Sequence, residues 1–196
     1  MLDAVFDRAR QHGLIGQEVT ASCDSSGMES RHVSRHFLRR TGRMKRYRRW
    51  PKLTIVCDNA SHLVASLVVS LGPKNDCPDF LPAVRQACGR MPIGCLLADG
   101  AYDCEAHHRC CRQELGIAET LIPINPRGHP DTVPKTPYRR AMKEQLPSAL
   151  YGQRWQVESV FSRLKRRLGS ALTARSDVAR ERECFLAIAT YNLMIT

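Results

Sequence analysis

Three carboxylates occupy positions from which they can act together on one substrate. Asp24 and Asp99 each end a strand-like run, and Glu158 stands within the basic segment of residues 151–169. Three converging carboxylates repel one another strongly unless a cation neutralises them. Carboxylate oxygens suit Mg²⁺, which also binds substrate phosphate, and two such ions about 3.5–4 Å apart promote in-line phosphoryl displacement. The pattern therefore predicts a metal site that cuts a phosphodiester backbone.

Glu158 is the only acidic residue of residues 151–169, a helical pattern crowded with arginine and lysine. At about 100° per residue, one face of the helix, about 60° wide, carries Tyr151, Arg154, Glu158 and Lys165. Beside it lies an apolar stripe for the sheet, made of Val157, Val160, Phe161, Leu164 and Leu168. The alternative is an ordinary surface glutamate paired with Arg154, worth only about 0.2–0.5 kcal/mol. The other two carboxylates favour the metal site.

The segments around these carboxylates alternate between strand and helix patterns. Strands are predicted at residues 18–26, 53–58, 63–71, 93–98 and 118–124, the second and third as a hairpin. Helices are predicted at residues 2–10, 77–90, 104–116, 148–168 and 177–194, with a proline-rich loop at 125–137. Three strands before the first crossover helix predict an α/β fold with a mixed five-stranded sheet, antiparallel and then parallel, flanked by helices. This order resembles the ribonuclease-H-like fold, in which the first and fourth strands are neighbours and bring Asp24 beside Asp99.

The net charge and the lengths of the apolar runs indicate which class of partner the protein binds. The 196 residues carry a formal net charge of +11, which favours polyanions such as nucleic acid or an anionic membrane. A membrane is the weaker option, because no apolar run reaches the roughly 20 residues of a spanning helix. The first seven residues contain two aspartates and resemble no signal peptide. We expect a cytoplasmic protein that binds nucleic acid and no membrane.

A second basic segment, residues 39–52, carries eight basic residues interleaved with Tyr47 and Trp50. A run of this kind is either simply solvated or a nucleic-acid contact, since cations neutralise phosphates and aromatic rings stack on unpaired bases. The predicted DNA contacts in it are Lys45, Arg46, Arg48, Arg49 and Trp50.

The nine cysteines are expected to be reduced thiols, because no secretory signal accompanies them. Cys23, Cys57 and Cys95 lie in apolar runs, where a thiol acts as a small buried side chain. Residues 104–111 contain a Cys/His cluster without the usual spacing of zinc ligands, so an ordinary helix face is favoured over a structural zinc site.

Other polar side chains near the strand ends receive structural roles. His107 and His108 are expected to face solvent. Asp58 is assigned to the hairpin and Asp103 to a helix N-terminus. Asp76 and Asp79 are also expected to begin a helix.

The spacing of four residues carries the most specific resemblance. Tyr151-x2-Arg154-x3-Glu158-x6-Lys165 matches without a gap the Y-(2)-R-(3)-E-(6)-K signature of one large group of bacterial insertion-sequence transposases, the DDE type. The stretches around Asp24 ("CDSSGMESRHVS") and Asp99 ("ADGAYD") resemble the two aspartate motifs of that group. The similarity extends from about residue 17 to the C-terminal segment.

The resemblance implies that Asp24, Asp99 and Glu158 bind two Mg²⁺ ions, for which Mn²⁺ can substitute. It implies that Tyr151, Arg154 and Lys165 contact DNA phosphates near the scissile bond. The implied reaction is hydrolysis of double-stranded DNA at the ends of a mobile element, followed by attack of the freed 3′-hydroxyl on target DNA. Paired ends imply a homodimer in the active state, and the bound protein would be associated with the nucleoid.

The resemblance also divides the chain. Residues 1–16 would be an N-terminal helical remnant, residues 17–170 the ribonuclease-H-like catalytic domain, and residues 171–196 a C-terminal helix packed on that domain. Relatives usually carry an N-terminal region that recognises inverted repeats, so we expect a truncated form that lacks it.

Two alternatives stay open from the sequence. The chain is either an active transposase domain or a catalytically idle fragment that binds DNA or an intact transposase. An RNA-directed nuclease on the same fold is less favoured, since the Tyr-Arg-Glu-Lys spacing has no reason to recur there.

Overall fold

A computed structural model of the chain describes residues 2–30, 40, 50–126 and 133–196. Its helices are α1 (Leu2–Gln11), α2 (Cys77–Cys88), α3 (Glu105–Arg109), α4 (Pro137–Glu144), α5 (Ser148–Tyr151), α6 (Trp155–Leu168) and α7 (Asp177–Leu193). Its strands are β1 (Val19–Gly27), β2 (Glu29–Ser30), β3 (Trp50–Asp58), β4 (Val64–Gly72), β5 (Ile93–Ala98), β6 (Glu119–Leu121) and β7 (Ala171–Leu172). Short 3₁₀ turns cover Gly100–Tyr102 and Gly152–Arg154, and a π turn covers Cys110–Glu114.

The main sheet confirms the predicted mixed topology. Its five strands lie in the order β4-β3-β1-β5-β6. β3 pairs antiparallel with β4 and β1, whereas β5 pairs parallel with β1 and β6. The last pair of the β1–β5 register joins Cys23 to Ala98, so the next residues along the two strands are Asp24 and Asp99. The fold therefore places these two residues on neighbouring strands at the same end of the sheet.

Helices cover both faces of the sheet, and side chains of each strand alternate between them. Cys23 and Ala98 lie in a buried cluster with Phe6 of α1 and Phe80 of α2. The opposite face packs against α6 and α7, where the buried side chains include Leu53, Ile55, Val157, Val160, Phe161 and Ile188. Because Cys23 and Ala98 face α2, the residues that follow them face the side of α6. Glu158 lies on that helix.

Four features of the fold differ from the sequence prediction. The predicted helix at 148–168 is divided into α5, a 3₁₀ turn at Gly152–Arg154 and α6. Leu168, assigned to the apolar stripe, is 37 % exposed at the end of α6. Helix α4 was not predicted; none of its side chains is fully buried, and it directly follows the proline-rich loop. The short β2–β7 pair also has no signal in the sequence.

The expectation that His107 and His108 face solvent is wrong. Both are buried, because their side of α3 packs against the sheet and α2. The Nδ1 atom of His107 lies 2.8 Å from the carbonyl oxygen of Tyr102, and its ring stacks on Phe80 at 4.6 Å. His108 Nδ1 lies 2.7 Å from Thr120 Oγ1. Burial lowers the pKa of both imidazoles, that of His108 to about 4, so both are neutral at pH 7.

None of the nine cysteines, all within the described ranges, forms a disulfide, and Cys23, Cys57 and Cys95 are buried as predicted. Asp58 takes its predicted place in the hairpin, accepting hydrogen bonds from the backbone N–H groups of Ala60 (3.1 Å) and Ser61 (3.0 Å). Within the described ranges, no helix is both long and apolar enough to cross a bilayer.

Candidate active site

Asp24 lies near the end of β1, with its side chain 22 % exposed. One carboxylate oxygen accepts a hydrogen bond from the backbone N–H of Ser25 at 2.8 Å. Burial raises the pKa of Asp24, and the negative charges of Asp99 and Glu158 act in the same direction. The Ser25 N–H and Arg154 oppose this shift. The charges of Asp99 and Glu158 therefore both reach Asp24 through space.

Asp99 follows β5 directly and begins the 3₁₀ turn at Gly100–Tyr102. Its Oδ1 atom accepts a hydrogen bond from the backbone N–H of Ala101 at 2.8 Å. This bond fixes one oxygen of the carboxylate, while the parallel register places the residue beside Asp24. Neighbouring strands are about 4.8 Å apart, which is within reach of a shared cation.

Glu158 lies in the first turn of α6 and forms an ion pair with Arg154 at 2.6 Å. The pair is the one expected for an ordinary surface glutamate, and the Glu158 side chain is 56 % exposed. Arg154 does more than close a helix pair, since its other terminal nitrogen lies 3.5 Å from Asp24 Oδ2. One guanidinium, only 19 % exposed, thus joins the helix carboxylate to the strand carboxylate.

Lys165 and Tyr151 lie on either side of this centre. Lys165 donates a hydrogen bond from Nζ to Ser26 Oγ at 2.7 Å, two residues beyond Asp24, and burial lowers its pKa. Tyr151 packs against the small apolar cluster of β5 and β6. Burial raises the pKa of its phenol, and the charges of Asp99 and Asp24 add to that shift. Each of the four signature residues is therefore linked, by a contact or by charge, to Asp24 or to Ser26 beside it.

Trp50 is the one predicted DNA contact of the segment 39–52 that the structure describes. Lys45, Arg46, Arg48 and Arg49 lie outside the described residues. The Trp50 indole covers the backbone of Gly27 and Gly72, where an added Cβ would come within 2.9 Å and 2.5 Å of the ring. The side chain remains 38 % exposed. Gly27 is three residues beyond Asp24 on β1, so the indole lies at the same end of the sheet as that carboxylate.

Two ion-pair groups near the site were missed or misassigned by sequence reasoning. Asp103 stands just before the N-terminus of α3, as predicted, but its side chain is fully buried and forms a two-point pair with Arg139 at 2.8 and 2.7 Å. Lys52 is buried and binds Asp76 at 2.5 Å and Asp79 at 3.2 Å. Asp76 and Asp79 do begin α2, but no sequence period indicates that a lysine from β3 reaches them.

The donor chemistry of the site fits a hard divalent cation. Mg²⁺ needs only one or two protein carboxylates, because water and substrate phosphate complete its shell. Asp24 and Asp99 offer carboxylates from adjacent strands, whereas Glu158 is paired with Arg154. Across the ranges that the structure covers, no three or more His, Cys, Asp or Glu side chains form a ready-made metal cage.

Comparison with known proteins agrees with this geometry. A family model described as "Transposase DDE domain" matches residues 2–193, nearly the whole chain. No curated protein matches the sequence. Members of the family cleave and transesterify DNA and generally use divalent metal ions. With the match extending over almost every residue, the chain belongs to the family of transposase DDE domains.

Proposed function

We propose that Asp24, Asp99 and Glu158 form the centre at which this transposase domain hydrolyses double-stranded DNA at the ends of an insertion sequence and transfers the freed strand to target DNA. The three carboxylates would hold two Mg²⁺ ions, with Mn²⁺ as a substitute. The observation that carries the proposal is the meeting of three separate elements: the β1–β5 register sets Asp24 beside Asp99, and Arg154 joins Glu158 to Asp24.

Divalent ions bound at these carboxylates would supply Lewis-acid stabilisation of the phosphoryl group and activation of water or of the 3′-hydroxyl. The residues of the chain provide the positions. The Ser25 and Ala101 N–H groups each fix one oxygen of the two aspartates. Arg154 offsets the negative charge of the free site. In the complex its guanidinium is placed to exchange a carboxylate for a phosphate, which it binds with similar two-point geometry.

In this proposal, the DNA runs along the residues that surround the three carboxylates. Tyr151, Arg154 and Lys165 are assigned to phosphates near the scissile bond, supported by the position of Lys165 beside Ser26. Trp50 is assigned to stacking on an unpaired base, supported by its exposed ring over Gly27. Lys45, Arg46, Arg48 and Arg49 are assigned to the DNA backbone on their sequence alone.

The organisation of the active protein is part of the proposal. Residues 17–170 form the catalytic unit, preceded by the helical segment at 1–16 and covered by residues 171–196. In support, α7 places Ile188 in the same buried cluster as Val157 of α6. The active species is a homodimer that works at the nucleoid, because two element ends must be held together.

A supercoiled-plasmid nicking assay with Mg²⁺ or Mn²⁺ tests this function. Glu158→Gln keeps the side-chain size but removes the charge, and we expect nicking to fall by about 100-fold or more, since a metal site supplies several kcal/mol of transition-state stabilisation. The matched control is Glu114→Gln at an exposed glutamate that pairs with Arg85, which should nick like the wild type.

Equal nicking by the wild type and Glu158→Gln would point to contamination or another site and would refute the assignment. A wild-type protein that binds DNA yet never nicks it would support the idle-fragment alternative instead.

A further inference from the structure

The backbone ladder between β1 and β5 ends immediately before the two aspartates. The last pair of the register is Cys23 with Ala98. Asp24 is still held by β3, opposite Ile55, whereas Asp99 leaves its strand and enters a 3₁₀ turn. The backbone hydrogen bonds between β1 and β5 therefore do not fix the distance between the two carboxylates.

A side-chain connection continues where the ladder ends. The hydroxyl of Tyr102 lies 2.7 Å from Ser25 Oγ, which in turn lies 2.6 Å from Thr54 Oγ1. Tyr102 and Thr54 are fully buried. Burial raises the pKa of the Tyr102 phenol far above its usual range, so the group stays protonated and able to donate. Three hydroxyl groups thus link the turn after β5 to β1 and β3.

The connection is attached to the chain next to both carboxylates. Ser25 directly follows Asp24 and donates its backbone N–H to that side chain at 2.8 Å. Tyr102 ends the turn that begins at Asp99, and its backbone N–H donates to the Asp99 carbonyl oxygen at 2.9 Å. A displacement of the phenol is therefore passed to Asp99 through one short turn.

We propose that Tyr102 is a positioning residue of the metal site: its hydroxyl, held by Ser25 and Thr54, sets the separation of the Asp24 and Asp99 carboxylates. The inference rests on the proposed function, because it assigns those two carboxylates to a shared cation. The aromatic ring itself packs on Phe80 at 5.2 Å. Tyr102→Phe keeps this packing and removes only the oxygen that ties the two strands.

The experiment measures Mn²⁺ binding by the electron paramagnetic resonance signal of the free ion, on the full chain and without DNA. Tyr102→Phe should bind Mn²⁺ about tenfold more weakly than the wild type, as is usual when a residue that orients a ligand is lost. Its nicking activity should recover as Mn²⁺ is raised. The matched control is Tyr191→Phe, since Tyr191 is buried and its hydroxyl has no hydrogen-bond partner among the described residues. This control should bind and nick like the wild type.

Ser25→Ala provides a second route, because it removes the middle hydroxyl even if Tyr102→Phe fails to fold. We expect the same loss of Mn²⁺ affinity. Wild-type affinity and metal dependence in the folded variants would overturn the role of Tyr102 and leave the proposed function standing. A wild-type protein that binds no Mn²⁺ and does not nick DNA would instead refute the proposed function, and the inference with it.

Discussion

At the scale of single residues, the candidate site contains carboxylates whose negative charge is offset by Arg154 in the protein without metal or DNA. Asp24 is largely buried, and Arg154 spans the distance between it and Glu158. Burial and the two neighbouring carboxylates raise the pKa of Asp24. A carboxyl group whose folded pKa is raised lowers stability as pH rises from its unfolded to its folded pKa, because the folded state must then accept a charge it disfavours. Such tension between stability and charge is typical of sites that bind a cation.

This charge balance gives a prediction for Asp24→Asn. The amide removes a disfavoured charge, so the metal-free variant should melt at a temperature no lower than that of the wild type, although it should not nick DNA. Thermal denaturation in the presence of a chelator checks the first part. The contrasting variant is Asp58→Asn, which weakens a turn held by hydrogen bonds from Ala60 and Ser61 and should melt lower. If Asp24→Asn were the more destabilised of the two, Asp24 would be a structural aspartate.

At the scale of elements, the parts predicted best from sequence are the ones that bury apolar side chains. The strands at β1, β3, β4 and β5 follow continuous apolar or alternating patterns, and their order was enough to place Asp24 beside Asp99. The stripe of Val157, Val160, Phe161 and Leu164 on α6 is buried as predicted. A periodic apolar pattern reports burial directly, which is why these elements were found.

Helix α4, which the sequence did not predict, is attached through contacts between distant segments, including the packing of Met142 on the cluster of Leu97 and Leu121. Helix α4 has no buried side chain and is fixed by Arg139, which binds the buried Asp103. The backbone N–H groups of Tyr138 and Arg139 also donate to Glu105. A pairing between residues 36 positions apart leaves no local pattern. The burial of His107 and His108 also left no local pattern in the sequence, because it depends on how α3 packs against distant segments.

The buried imidazole of His108 makes the attachment of α3 sensitive to acid. Burial lowers its pKa from 6.5 to about 4, so the unfolded state binds more protons between these values and stability is lost as pH falls. From pH 7 to pH 5 the free energy of unfolding should drop by about 2 kcal/mol through this group. His107, with its pKa also lowered, acts in the same direction.

Urea denaturation of the wild type and His108→Gln between pH 7 and pH 5 measures this contribution. The glutamine can still reach Thr120 but takes up no proton, so its stability should fall by about 2 kcal/mol less than that of the wild type over this range. Parallel pH profiles for the two proteins would show that His108 is protonated equally in the folded and unfolded states.

At the scale of the whole molecule, the fold brings Asp24 near Asp99 within a basic chain. The formal net charge is +11, yet Asp24 on β1, Asp99 after β5 and Glu158 in the first turn of α6 are acidic. A polyanion is attracted to the surface as a whole, while the acidic centre needs a cation before a phosphate can approach. In the proposed function, arginine and lysine side chains hold the DNA and the carboxylates hold the metal ion.

The central claim is that Asp24, Asp99 and Glu158 hold divalent cations at a single site. Anomalous diffraction from crystals of the wild-type protein with Mn²⁺ and a DNA end tests it most directly. We expect an anomalous peak within about 2.5 Å of carboxylate oxygens of Asp24 and Asp99, with Glu158 released from Arg154 and turned toward the metal. Mn²⁺ bound by other residues, or no peak at these carboxylates with DNA in place, would contradict the account.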